Sequence, residues 1–313
     1  MKQNISIKYK SLASASLWNL LVKLFISFWA VWHISRHKDL YFISHNFLHV
    51  LSPFYVFLFL FSLLNWYFEI RKWQHLGMSI APMNFWEATR QSLTSFSVSL
   101  ATPNRIGEYG AKALFFPKHQ RKKVLFLNLA GNLAQLSISL ILGFFGLIYL
   151  YLTHTESWDN IIEASPISRN FISIIILFFL LTIIIWFSLK KKLFKKIFKP
   201  CTCRKIFGYS LIRYFIFSSQ FALLWSFLHH QEINFDLFSA IFITYLIASA
   251  IPALSFFDWA IKGSSAAFVF PLFQLSIQHI ILTTSLMWLM NFFIPFLLGI
   301  GLFLWNPKTK NNV

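Results

Sequence analysis

The sequence is poor in acidic residues and in charge of any kind. Only 10 of its 313 residues are Asp or Glu, against 28 Lys and Arg, and charged residues make up 12% of the chain while hydrophobic residues make up 57%. A soluble domain of this length needs far more polar surface than that. The composition therefore excludes an ordinary soluble enzyme or binding domain and favours a chain whose outer surface contacts lipid.

Cysteine is scarce as well. Cys201 and Cys203 are the two cysteines and are separated by one residue, which excludes a disulfide framework, and no nearby histidine pair completes a zinc site with them. His229 and His230 lie close to Glu232 but lack a recognised ligand spacing, so we expect loop residues rather than a metal site. We predict neither a metal nor a cofactor.

The formal charge of +18 does not indicate a nucleic-acid partner. The basic residues lie in short runs between apolar segments, where they orient a chain in a membrane. Facing the anionic lipid headgroups is a second use of such runs.

Long apolar segments dominate the chain. The stretch 171–189 contains 19 consecutive uncharged residues, enough to cross the hydrocarbon core as a helix. Similar segments lie at 17–34, 47–69, 81–101, 124–152, 208–228, 237–257, 264–277 and 279–305. The predicted fold class is all-α, a polytopic integral membrane helical bundle with seven to nine apolar segments, forming a single transmembrane domain over 1–313 with no soluble domain.

Two of these segments are weak spans. Segment 81–101 is rich in Ser and Thr and contains Glu87 and Arg90, and segment 264–277 is too short to cross alone. We expect both to be re-entrant or broken helices, which are tolerated only where protein or a wet cavity covers them.

The distribution of Lys and Arg predicts the orientation. Loop 104–123 carries six and loop 190–205 carries eight, whereas loop 153–170 carries one and loop 229–236 none. The first two loops should be cytoplasmic and the last two external, with both termini cytoplasmic and the chain in the cytoplasmic (inner) membrane.

One stretch beside an apolar segment is unusually charged: ATPNRIGEYGAKALFF, residues 101–116. Thr102 before Pro103 predicts a helix start, with the hydroxyl as N-cap and proline at the first helical position. Asn104 and Arg105 would then lie in the first turn, where free N–H groups and the helix dipole favour an anion.

The same stretch predicts an ion pair. Glu108 and Lys112 are four residues apart and would share one helical face. Gly107 and Gly110 would allow another backbone to approach closely. The alternative to a functional site is an ion pair on a helix surface near the membrane interface, which would only fix topology.

A second copy of this pattern occurs in IPALSFFDWAIKG, residues 251–263. Asp258 and Lys262 follow Pro252, and Asp258 lies 150 positions after Glu108 (258 minus 108). Interrupted apolar segments at corresponding places of two halves, here about 1–152 and 171–305, are typical of inverted-repeat transporters. We expect the two motifs to meet inside the bundle and bind a polar headgroup together, with a helix-surface ion pair again the alternative.

A polar stripe lies on the segment that follows the first motif. Asn128, Asn132 and Gln135 recur at spacings of four and three, and lipid cannot satisfy their amides. They should face the protein interior or a cavity, where they either line a transport path or hold helices together.

The stretch TPNRIGEYGAKALF resembles the proline-x-arginine-x-glycine-glutamate signature of the lysylphosphatidylglycerol synthase transmembrane family, which comprises flippase-like membrane domains. The resemblance assigns Pro103, Arg105, Gly107 and Glu108 to that signature. The second family motif is matched by a proline and an acid in 251–263, without the usual glycine pair. From these 313 residues we expect no aminoacyl transferase domain of the kind found fused to some members.

The sequence thus predicts translocation of a phospholipid or a lipid-linked polar headgroup, with no enzymatic step. Its expected partners are membrane lipids, anionic or aminoacylated phospholipids. The alternatives are a membrane scaffold whose cytoplasmic loops hold a lipid-modifying partner enzyme, and a membrane enzyme acting on a lipid-linked substrate. The predicted substrate-binding residues are Pro103, Asn104, Arg105, Gly107, Glu108, Lys112, Pro252, Asp258 and Lys262.

Overall fold

The computed structural model describes residues 53–99, 102, 105–156, 200–251 and 254–305. Within these ranges every regular element is a helix and no β-strand occurs, which confirms the predicted all-α class. The predicted apolar segments 17–34 and 171–189 lie outside the described residues.

The described helices fall into two series. The first contains α1 (Pro53–Gly77), α2 (Phe85–Ser99), α3 (Ile106–Leu114) and α4 (Arg121–Thr153). The second contains α5 (Pro200–His229), α6 (Phe235–Ala250), α7 (Asp258–Val269), α8 (Ile280–Trp288) and α9 (Ile294–Trp305), with a π-helical turn at Leu289–Phe293 joining α8 to α9.

Four of the described helices are long and apolar enough to cross a membrane. They are Pro53–Gly77, Lys118–Thr153, Thr202–His229 and Ile280–Trp305, and they coincide with the predicted segments 47–69, 124–152, 208–228 and 279–305. Helices α2, α3, α6 and α7 contain 15, 9, 16 and 12 residues and are too short to cross alone.

Two helix ends differ from the prediction. Helix α1 continues to Gly77 instead of stopping near position 69, because its polar C-terminal part, including Lys72 and Gln74, is buried against other parts of the protein. The segment predicted as 237–257 ends as a helix at Ala250. Pro252 follows two residues later, and a proline lacks the N–H of a continuing helix and restricts the residue before it.

The two series meet along α1 and α5, which run antiparallel. Phe54 near the start of α1 stacks on Phe227 near the end of α5, with ring centroids 3.9 Å apart. Midway along both helices, Arg213 Nε donates a hydrogen bond of 3.0 Å to Asn65 Oδ1. Residue numbers therefore rise along one helix as they fall along the other.

Two further helix pairs, α4 with α6 and α2 with α9, also connect the first series to the second. Helix α4 packs on α6 with Gly143 against Leu246 and with His154 Nε2 3.0 Å from Asp236 Oδ1. Helix α2 packs on α9, where Ser97 Oγ donates a 2.8 Å hydrogen bond to the carbonyl of Phe296. Each pair combines a short helix of one series with a long helix of the other, because α9 is the second part of the continuous 26-residue helix Ile280–Trp305.

The second series repeats the helix order of the first at a constant offset. Shifted by the 150 positions that separate Glu108 from Asp258, α2 falls on 235–249, where α6 spans Phe235–Ala250. The same shift places α1 on 203–227, within α5, and α3 on 256–264, where α7 begins at Asp258. Each series therefore consists of a long helix, two short helices and a second long helix, which in the second series is α8 joined to α9.

Apolar side chains fill the interior in two clusters. The larger joins α1 and α4 to the second series and includes Trp225 and Phe270. The smaller lies where the end of α1 contacts α2, α3 and the start of α4, and includes Trp73, Phe116 and Leu127. The first charged motif lies against this smaller cluster.

Candidate functional site

The turn between α2 and α3 differs from the predicted helix start. Arg105, not Thr102, occupies the N-cap position, and its backbone is left-handed with φ 57° and ψ 26°. Thr102 nevertheless binds the start of α3, because its Oγ1 accepts the Gly107 N–H at 2.8 Å and donates to the carbonyl of Ser99 at 3.1 Å. Pro103 and Asn104 lie outside the described residues.

The two glycines of the motif have different surroundings. A Cβ at Gly107 would lie 2.8 Å from the Val98 carbonyl oxygen and from Thr102 Oγ1, so the predicted close approach is confirmed there. A Cβ at Gly110 would meet no described atom within 4 Å, so no close approach to Gly110 occurs among the described residues.

Glu108 and Lys112 form the predicted ion pair, and it is buried. Lys112 Nζ lies 2.8 Å from Glu108 Oε1, and the two side chains are 1% and 6% exposed. Lys112 also donates to Asn128 Oδ1 at 2.8 Å and lies 4.4 Å from the ring centroid of Trp73. The helix-surface alternative therefore does not describe this pair.

Arg105 extends the cluster towards the surface. Its Nε lies 3.8 Å from Glu108 Oε2, its guanidinium lies 4.7 Å above the Phe96 ring, and its side chain is 45% exposed. The positive charges of Lys112 and Arg105 lie on either side of Glu108 and favour its ionised form. Glu108 is thus a carboxylate between two cations.

A second buried ionic cluster, at the crossing of α1 and α5, was not anticipated from the sequence. Glu69 accepts from Lys72 Nζ at 2.7 Å and from Arg213 Nη1. Arg213 also donates to Asn65 Oδ1 and to Gln135 Oε1, the latter at 3.4 Å. One carboxylate here holds two cations.

The sequence carried one signal for this second cluster. Arg213 lies inside the apolar segment 208–228, and an ionisable residue within such a segment is expensive and tends to be functional. Glu69 and Lys72 gave no comparable signal, because Glu69 is the last residue of the predicted segment 47–69 and Lys72 follows it, so both resemble the polar end of an apolar segment. Arg213, the partner of Glu69, is 144 positions away from it.

The polar stripe on α4 connects the two clusters. Asn128 binds Lys112, Asn132 Nδ2 donates to the Tyr109 hydroxyl at 2.9 Å, and Gln135 binds Arg213. The prediction that these amides face the protein interior is confirmed by these contacts. Asn128 is 3% exposed, and its Nδ2 has no hydrogen-bond partner among the described residues.

Asp258 and Lys262 also form the predicted ion pair, at 2.7 Å, but in an open setting. The side chains are 43% and 25% exposed, and Lys262 Nζ lies 4.8 Å from the Phe217 ring centroid. Within the described part of the chain, no hydrogen bond or ion pair joins this pair to Glu108 and Lys112. Pro252 lies outside the described residues.

Two buried threonines occupy equivalent positions of the two series. Thr94 on α2 and Thr244 on α6 are 150 positions apart, and both are buried. Neither hydroxyl has a hydrogen-bond partner among the described residues. Each lies on the first short helix of its series, before the break that leads to the charged pair.

An apolar groove of about 220 Å³ runs between α1, α2 and α9. Among its lining residues are Phe59, Trp66, Leu93 and Leu298. The Trp66 indole Nε1 donates at 2.9 Å to the carbonyl of Asn291. Because the Asn291 side chain also accepts from Asn65 Nδ2 at 2.9 Å, one wall of the groove contacts the polar residues at the α1–α5 crossing.

His229, one of the two histidines set aside as a metal site, has other partners. His229 Nδ1 lies 2.8 Å from the Trp225 carbonyl, and its ring stacks on the Trp225 indole. Across the described ranges, no group of three or more His, Cys, Asp and Glu side chains is placed to hold a metal ion.

No family model, no curated protein and no solved structure matches this chain.

Proposed function

We propose that this chain is an integral membrane carrier that moves a phospholipid, or a lipid-linked polar headgroup, from one leaflet of the cytoplasmic membrane to the other. The observation that carries the proposal is the repetition of a broken helix pair in two antiparallel series, each with an acid and a lysine one turn apart after the break. Transport of this kind makes no covalent bond.

The packing of the helices supports an inverted repeat. The central helices α1 and α5 are equivalent under the 150-position shift and run antiparallel. The same shift places α2 on α6 and places α4 on the region of α8 and α9, so the α2–α9 contact and the α4–α6 contact are equivalent. Carriers built from inverted repeats place their substrate site where discontinuous helices of the two halves face the membrane midplane.

The breaks supply the polar groups that a headgroup requires. Helices too short to cross alone are tolerated in a membrane only where protein or a water-filled cavity covers them, and α2 with α3, and α6 with α7, fit that description. The Arg105 guanidinium at the first break is 45% exposed and can donate two parallel hydrogen bonds to a phosphate.

The groove between α1, α2 and α9 supports a lipid rather than a free polar substrate. It is lined by apolar side chains and ends beside the polar residues at the α1–α5 crossing. A lipid could place an acyl chain in this groove and its headgroup among the polar residues. The basic loops and the resemblance of 102–115 to a flippase-like family favour an anionic or aminoacylated phospholipid.

The test is a leaflet assay on the full chain in vesicles, using headgroup-labelled phosphatidylglycerol and phosphatidylcholine in separate samples. Protein-containing vesicles should move label between leaflets faster than protein-free vesicles. Glu108→Gln and Arg105→Ala should slow this movement at least about tenfold, the effect of roughly 1.4 kcal/mol in the barrier.

Arg204→Ala is the matched control, because Arg204 is an exposed arginine on α5 outside both clusters. It should insert normally and move lipid at the unmodified rate. Movement no faster than in protein-free vesicles for every labelled lipid would refute the carrier. A scaffold would leave lipid movement unchanged in all three variants.

A further inference from the structure

The buried and partly buried ionic residues of the two clusters, on α3 and at the α1–α5 crossing, do not balance in charge. Lys72, Lys112 and Arg213 are three cations, and Glu69 and Glu108 are two carboxylates. Lys72 and Lys112 are almost fully buried, and the two carboxylates are 14% and 6% exposed. An excess positive charge buried in protein is costly unless an anion accompanies it.

These residues form one group rather than two separate pairs. Lys72 lies against Gly131 of α4, one turn after Asn128, which binds Lys112. Gln135, one turn further along the same face, binds Arg213. The three cations therefore follow one face of α4 over about 10 Å, at roughly 1.5 Å per residue.

Among these residues, the side-chain amide of Asn128 has a hydrogen-bond donor that no described atom accepts. Asn128 is 3% exposed, and its Oδ1 accepts from Lys112 while its Nδ2 has no hydrogen-bond partner among the described residues. Buried amide donors are nearly always paired. Beside a lysine, an oxygen of a bound anion would supply the missing acceptor.

We infer that Lys72, Lys112, Arg213 and Asn128 form a buried binding site for a phosphate group. This inference rests on the proposed carrier function, in which the phosphate belongs to the transported lipid. A phosphodiester carries one negative charge, which equals the excess of one positive charge among Lys72, Lys112, Arg213, Glu69 and Glu108; Arg105 is 45% exposed and is not counted because water can solvate it. Arg213 is 19% exposed and is the cation that an entering phosphate reaches first, in competition with Glu69.

The experiment measures ligand-dependent thermal unfolding of the purified full chain in detergent. The probes are inorganic phosphate, with sodium chloride at equal ionic strength as reference, and short-chain phosphatidylglycerol, with the diacylglycerol of the same chains as reference. The reference lipid keeps the acyl chains and lacks the phosphate.

Phosphatidylglycerol should raise the unfolding temperature more than the diacylglycerol does. A rise with phosphatidylglycerol alone assigns the site to a lipid phosphate, and a rise with both phosphate probes assigns it to phosphate in general. Either result supports the site. No rise above the reference with either probe overturns it.

Two variants and a control sharpen the test. Asn128→Asp keeps the shape of the side chain and cancels the excess charge, and Arg213→Gln removes the partly exposed cation. Each should weaken phosphatidylglycerol binding at least about tenfold, because each removes a hydrogen-bond donor or a positive charge that the phosphate would contact. Arg204→Gln makes the same charge change at an exposed position of α5 and should bind as the unmodified chain does. Unchanged binding by Asn128→Asp would overturn the inference.

Measurements of phosphate binding and of lipid movement together distinguish the proposed phosphate site from the proposed carrier function. Phosphate-dependent stabilisation without lipid movement in vesicles would retain the site and refute the carrier. Lipid movement without phosphate-dependent stabilisation, and at the same rate in Asn128→Asp, would retain the carrier and refute the site.

Discussion

At the residue scale, two ion pairs of the same spacing differ in their surroundings. Lys112 is buried above the Trp73 ring and is shared between Glu108 and Asn128, whereas Lys262 is 25% exposed and its partner Asp258 is 43% exposed. Removing one partner of a buried pair leaves an uncompensated charge inside the protein. An exposed pair contributes little, because each charge can be solvated separately.

Lys112→Met should therefore lower the free energy of unfolding by about 3–5 kcal/mol. Lys262→Met, the matched change 150 positions later, should lower it by about 1 kcal/mol or less. Reversible unfolding of each purified variant in mixed micelles with increasing sodium dodecyl sulfate measures both values. Equal losses for the two variants would contradict the assignment of a buried pair to the first motif alone.

Local spacing made the two ion pairs predictable, whereas the Glu69–Arg213 pair could not be predicted in the same way. An acid and a lysine four residues apart must share a face if the segment is helical. Glu69 and Arg213 are separated by 144 positions and meet only because α1 crosses α5. Apolar periodicity does not encode which two helices cross, so the residues at the crossing were not identified as a site.

At the element scale, the turn between α2 and α3 is fixed by a close backbone approach. The Val98 carbonyl and Thr102 Oγ1 both lie 2.8 Å from the position that a Cβ of residue 107 would take, so a side chain at this position must displace the end of α2. Gly110, one turn later on the same helix, has no described atom within 4 Å of its Cβ position.

Gly107→Ala should destabilise the protein by about 1–3 kcal/mol, the usual range for forcing an atom into a packed contact. Gly110→Ala should leave stability unchanged or raise it by up to about 1 kcal/mol, because alanine is the better helix former. Thermal unfolding of the two purified variants tests this. A larger loss for Gly110→Ala than for Gly107→Ala would contradict the described turn.

The lengths of the apolar segments were enough to predict the long helices, but they did not predict where those helices end. Helix α1 extends past position 69 because Glu69, Lys72 and Gln74 have partners within the protein, which apolar periodicity cannot reveal. The N-cap was misplaced because Thr102 and Pro103 carry a standard helix-start signal. In the structure Thr102 uses its hydroxyl across the turn to Gly107, and α3 begins at Ile106.

At the scale of the whole molecule, the two series place their loops at opposite ends of the bundle. Lys123 Nζ donates to the Ser79 carbonyl at 2.8 Å, so the start of α4 lies beside the end of α1. Because α5 runs antiparallel to α1, the end of α5 and the following loop lie at the other end. The distribution of Lys and Arg predicts the first of these ends to be cytoplasmic.

Lys118 and Glu232 are both exposed. A single cysteine that replaces either residue should therefore be labelled from one side of the membrane only, and the two sides should be opposite. In a background carrying Cys201→Ser and Cys203→Ser, a membrane-impermeant maleimide added to intact cells should modify Glu232→Cys. Lys118→Cys should react only after the membrane is permeabilised. Labelling of both positions from the same side would contradict the opposite orientation of the two series.

The crossing of α1 and α5 is also where the repetition of the sequence breaks down. The 150-position shift relates Arg213 to Leu63 and Glu69 to Ser219, so the central arginine and its carboxylate occur once in the chain rather than twice. If the protein is the proposed carrier and works by exchanging the conformations of its two halves, the two end states differ in structure and in free energy. We expect one of them to be the resting state.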